Sequence, residues 1–132
     1  MSDDEIIRRF ETGEVAPESF HHADHVRLAF AYLRLYQPLT ALNKFASALR
    51  QFATKIGKPN LYNETITYAY LFLIRQRMSQ AAEMEWEAFA SKNPDLLVWK
   101  DGILNRYYRE ETLKSDFARR VFIFPDKCRE MS

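Results

Sequence analysis

Glycine is nearly absent from this chain: three occur in 132 residues, at positions 13, 57 and 102. Few positions can therefore take the left-handed backbone that tight hairpins demand, while Ala, Leu, Arg, Glu and Lys recur at spacings of three and four. That is the punctuation and period of helices. An all-α fold is the expectation.

The periodicity predicts a first short amphipathic helix over Asp3 to Thr12, with Ile6, Ile7 and Phe10 on one side and Gly13 as its stop. A second helix is expected from near His22 to about Tyr36, carried by Val26, Ala29, Phe30 and Leu33, until Gln37-Pro38 interrupts it. The third runs from about Pro38 to Ile56, with Leu39, Leu42, Phe45, Ala46, Leu49 and Phe52 on one stripe, and ends at Gly57. After a loop to Tyr62, Asn63 caps a fourth helix reaching about Met78, apolar on nearly every side and so placed at the centre. Shorter helices are expected over Glu83 to Ser91, after Asn93-Pro94-Asp95, and from Ser115 through Val121, with Phe122, Phe124 and Pro125 lying back in extended form. No repeat, low-complexity tract or linker divides the chain. The reading is a single helical domain over residues 1–132, a compact irregular bundle of five to seven helices around the helix at 63–78.

Composition narrows the function classes. Hydrophobic residues make up 47% and charged residues 28%, enough for a core without staples. The formal net charge is +1, with 19 basic and 18 acidic residues interspersed, so no one-signed field would draw nucleic acid or an anionic membrane surface. The longest nearly apolar run, Ile66 to Ile74, is about half the ~20 residues that a membrane span requires. Cys128 is the only cysteine and lies in a polar tail, where it reads as a free surface thiol and excludes an intrachain disulfide or a thiolate-rich metal site. The acidic start, Met1-Ser2-Asp3-Asp4-Glu5, does not resemble a secretory signal, and a cytoplasmic location is expected. The chain has no glycine-rich phosphate loop, GxSxG elbow, HExxH helix or paired ExxH motif.

The chemistry-bearing feature is Phe20-His21-His22-Ala23-Asp24-His25-Val26, which gathers all three histidines at one predicted helix start. His22 and His25 are three apart, so they share a helix face and can bring two imidazole nitrogens towards one point, as a divalent metal needs. Two histidines are too few for a catalytic metal. Glu64, opening the fourth helix, is the best third ligand, with Asp24 and Glu18 behind it. Around the same helix start, Tyr62, Asn63 and Tyr68 bring polar groups that would line a pocket and contact a bound ligand. The structural alternative is equally concrete: the histidines hydrogen-bond a carboxylate or carbonyl, and Glu64 only complements the helix dipole.

Two segments, Phe20-His21-His22-Ala23-Asp24-His25-Val26-Arg27 and Tyr62-Asn63-Glu64-Thr65-Ile66-Thr67, resemble a group of small, uncharacterised bacterial helical proteins. In that group an FxHxxH(V/L) helix start accompanies a later YHxTxT-like segment. Trp86 to Leu97, Arg106-Tyr107-Tyr108 and the Phe124-Pro125-Asp126 ending are similar too. The resemblance implies that His22 and His25 share a site with the start of the fourth helix, where the group's pattern has a further histidine. Here that position is Asn63, a poor ligand for transition metals, so a third ligand would have to be Glu64 or His21.

Two readings follow. In the first, a pocket between the starts of the second and fourth helices binds a divalent transition metal or a polar small molecule through His22, His25 and Glu64. Any catalysis would then be metal-assisted or general acid–base. In the second, the protein is a non-enzymatic interaction module, a homodimer, whose histidines are structural and whose aromatic surface near Trp86, Trp99 and Tyr108 meets the partner.

Overall fold

The computed structural model describes residues 1–127, so Cys128 lies outside the described residues. Among the described residues there are seven α-helices and no strand: α1 (Asp3–Glu11), α2 (His22–Leu35), α3 (Pro38–Lys55), α4 (Glu64–Ser79), α5 (Trp86–Lys92), α6 (Glu110–Leu113) and α7 (Asp116–Arg120). Single 3₁₀ turns over Pro17–Ser19, Pro59–Leu61, Pro94–Leu97 and Ile103–Arg106 fill the connections. No helix among these residues is long and apolar enough to cross a membrane.

Local chemistry sets the helix ends. Ser2 Oγ accepts from Glu5 N at 3.2 Å, Asn63 Oδ1 from Ile66 N at 2.9 Å and Ser115 Oγ from Ala118 N at 3.1 Å, each satisfying a donor that has no partner within its helix. At α2 the Asp24 carboxylate accepts from His21 N at 2.9 Å, which explains an acidic residue among the histidines without any metal. Gly13 and Gly57 take φ of +82° and +77° just beyond α1 and α3, where a side chain would be strained.

Packing centres on α2 and α4. Leu28, Ala29, Phe30, Ala31 and Tyr32 are buried in succession, because α2 meets α1, α3, α4 and the Pro94–Leu97 turn on different sides. In α4, Thr65, Thr67, Ala69, Tyr70, Leu71 and Ile74 are buried against α2, α3 and α7. Each large side chain so buried contributes roughly 1.5–3 kcal/mol. The outer side of α4 differs from the expected all-round burial: Phe72 remains 44% exposed, capped edge-on by Phe122 of the C-terminal segment at 6.2 Å. Leu39 is exposed as well, and burial along α3 begins at Ala41.

The second half departs most from the periodicity. The element at Asn93-Pro94-Asp95 is a 3₁₀ turn, Pro94–Leu97, and α5 begins only at Trp86. Side chains from the central helices fix these pieces. Arg34 donates to Met84 O at 2.6 Å, and Arg77 grips both Asp95 oxygens at 3.0 and 2.8 Å while also donating to Asn93 Oδ1 at 2.8 Å. The buried Thr65 hydroxyl lies 2.9 Å from Ala118 O and 3.0 Å from Val121 O, and accepts from Ile123 N at 3.1 Å. Tyr108 donates to Ile123 O at 2.6 Å, fastening the same strap from the other side.

Candidate functional site

The Pro94–Leu97 turn places the Leu96 carbonyl 2.9 Å from His22 Nε2. A carbonyl can only accept, so Nε2 carries the proton and Nδ1 is left with a bare lone pair. His25 is arranged in the opposite sense. Its Nδ1 lies 3.1 Å from the His21 carbonyl, so Nδ1 is protonated and Nε2 is the free acceptor. Burial lowers the pKa of both rings, against the smaller opposing pull of the carbonyls they bond, and both are neutral at neutral pH.

Aromatic neighbours fix the ring planes. His22 meets Tyr70 edge-on at 4.8 Å and lies 5.3 Å from Trp99, while His25 packs on Phe20 at 4.2 Å. Phe20 in turn joins Phe10 and Phe52 at 4.6 and 5.2 Å, so His25 rests on a cluster shared by α1 and α3. Gly102 allows the Trp99 turn to close: a Cβ there would stand 2.5 Å from Val98 O and 2.9 Å from Trp99 O.

Both histidines line one cavity of about 560 Å³ between α2, α3 and α4. Its wall is mostly apolar, with Phe45, Leu49, Phe52 and Ala53 of α3 facing Ile66 and Tyr70 of α4. Asn63 and Tyr62 lie on the wall, so four of the residues singled out from the sequence come together there. Asn63 is already committed, since its Oδ1 caps α4 and its Nδ2 donates to Leu113 O at 2.9 Å.

Glu64 and Tyr68 lie outside this cavity. Glu64 accepts from Tyr62 Oη at 2.7 Å and sits 3.4 Å from Arg50 Nη1, and the Arg50 guanidinium stacks over the Tyr62 ring at 5.2 Å. That geometry corrects the expected two-histidine, one-carboxylate set: being the first residue of α4, Glu64 turns towards α3 and not towards α2. Among the described residues no group of three or more His, Cys, Asp or Glu is placed to hold a metal ion. Tyr68 stacks on Phe122 at 5.6 Å.

Sequence reasoning missed the greater part of the wall. The α3 stripe has the same period whether it packs against a neighbour or faces a void, so no signal separated Leu49 and Phe52 from ordinary core. Of the expected aromatic surface, Trp99 is 54% exposed, whereas Tyr108 is buried. Lys114, just after α6, and Arg119, in α7, are the charged residues on the wall among those described. Compared with protein-family models, with curated proteins and with solved structures, the chain matches none.

Proposed function

We propose that this protein binds a small molecule in the cavity between α2, α3 and α4, with the apolar body of the ligand against α3 and α4 and a hydrogen-bond donor of the ligand against His22 and His25. One observation carries the reading. Two neutral imidazoles, each held in one tautomer by a main-chain carbonyl and each with a second nitrogen that makes no hydrogen bond among the described residues, line the same apolar cavity. The volume, about 560 Å³, falls in the range of small-molecule sites, roughly 300–1,000 Å³.

The apolar wall shifts the expected ligand from a polar molecule to an amphipathic one. A metal ion is the weaker candidate, because no Asp or Glu lines the cavity and Glu64 is held by Tyr62 and Arg50. Matched probes test the reading. 1-Naphthol should bind more tightly than naphthalene by about fivefold in calorimetric titration, the worth of one neutral hydrogen bond. That preference should vanish in the H22A/H25A double variant. Ala53→Phe should block both probes without lowering Tm, since it fills space that is already there. Equal binding of both probes to every variant would refute the assignment, as would a loss of 1–3 kcal/mol in Ala53→Phe, the mark of overpacking (~1–3 kcal/mol).

A further inference from the structure

Charge on the cavity wall is one-sided. Among the described residues its only charged side chains are Lys114, just after α6, and Arg119, in α7, and no carboxylate lines it. Lys114 and Leu61 are exposed and mark an open side of the cavity, and Trp99, also exposed, stands 5.3 Å from His22. Resting on the ligand-binding reading above, we propose that the natural ligand is an amphipathic organic anion, a monocarboxylate whose body carries the hydrogen-bond donor that meets the histidines. Its carboxylate is held at the mouth by Lys114 and Arg119, and its body lies inside.

The orientation follows from what each end can do. A carboxylate only accepts hydrogen bonds, and the free nitrogens of the neutral imidazoles also only accept, so neither ring favours the anionic end. The two cations can receive it by charge-assisted hydrogen bonds, and the mouth spares the charge full desolvation. Neither cation is tightly engaged elsewhere. Lys114 meets Glu110 at 2.7 Å with both side chains about three-quarters exposed, and such solvated pairs hold weakly. Arg119 pairs with Asp116, but Arg120 Nε also meets Asp116, at 3.0 Å, so that carboxylate keeps a partner when Arg119 turns to a ligand.

Three isosteric probes decide the matter: 2-naphthoate, neutral 2-naphthalenemethanol and cationic 2-naphthylmethylammonium, titrated calorimetrically against the full chain. The naphthoate should bind about tenfold more tightly than the alcohol at low salt, and the advantage should shrink as salt is added. The cation should bind more weakly than the naphthoate. In K114A/R119A the naphthoate should lose its advantage over the alcohol. Neither side chain is buried, and an unaltered Tm certifies the variant as folded. If the alcohol binds as well as the naphthoate, or the naphthoate keeps its advantage in K114A/R119A, the anion assignment is overturned while the cavity reading stands. If no probe binds to wild type, both are overturned.

Discussion

His22 and His25 are neutral because desolvation outweighs the carbonyl each one bonds, and this has a measurable consequence for stability. Unfolding returns both rings to the ordinary histidine value of about 6.5, above their value in the fold. Between the two values the unfolded chain binds more protons than the native one, so stability rises with pH there. The contribution is therefore complete above about pH 6.5 and is lost as pH falls through the lowered native values. Asp95 and Asp126, held below the usual carboxylate range by Arg77 and by Thr112, act in a separate, more acidic window. Thermal melts of wild type should show Tm dropping from pH 7 towards pH 5, and the H22Q/H25Q variant should be nearly flat over that interval. A wild-type profile as flat as the variant's would show that burial does not depress these rings. Histidine clustering could be read from the chain; the tautomers could not, because the carbonyl that fixes His22 belongs to Leu96, distant in sequence.

That carbonyl is positioned by a relay of elements. Arg77, in the last turn of α4, clamps Asp95 and Asn93, which holds the Pro94–Leu97 turn with Leu96 fully buried and its carbonyl on His22. Asp95→Asn replaces a two-pronged charged contact by a neutral one. It should cost about 1 kcal/mol, since the pair is partly exposed and solvent screens much of its strength. Its more telling effect should be on the ring it never touches: nitrogen-15 correlation spectra should show His22 moving from a pure Nε2–H tautomer to a mixture, with His25 unaffected. An unchanged His22 tautomer would mean that the turn holds itself. At this scale, helices with strong periodicity and a cap or a glycine stop, α1 to α4, were legible to within a few residues. The Pro94–Leu97 turn was not, because its shape is imposed by Arg77 from another element. Glu64 was misplaced for a related reason: adjacency to a histidine-bearing helix says nothing about which side of its own helix a carboxylate leaves.

Across the molecule, α1 to α4 form the body, and the last third joins it through buried apolar side chains, Phe89, Leu96, Ile103, Leu104 and Tyr108, and through a few directional bonds. The fold class was legible because helical period and capping act locally. The cavity was not, since a void arises only when α2, α3 and α4 fail to close on one another, which no single segment records. Thr65 concentrates the fastening: one buried hydroxyl serves the carbonyls of Ala118 and Val121 and the amide of Ile123. Thr65→Val keeps the shape and removes the hydroxyl, leaving Ile123 N without its acceptor, at a cost of ~1–3 kcal/mol. The loss should be local before it is global. Hydrogen exchange at the Ile123 amide should quicken by an order of magnitude or more, while amides in α2 slow and quicken only with global stability. Since α7 carries Arg119 to the cavity mouth, the same variant should weaken 2-naphthoate more than 2-naphthalenemethanol. Unchanged protection at Ile123 would show that burial of Ala118 and Phe122, and not the hydroxyl, holds the strap in place.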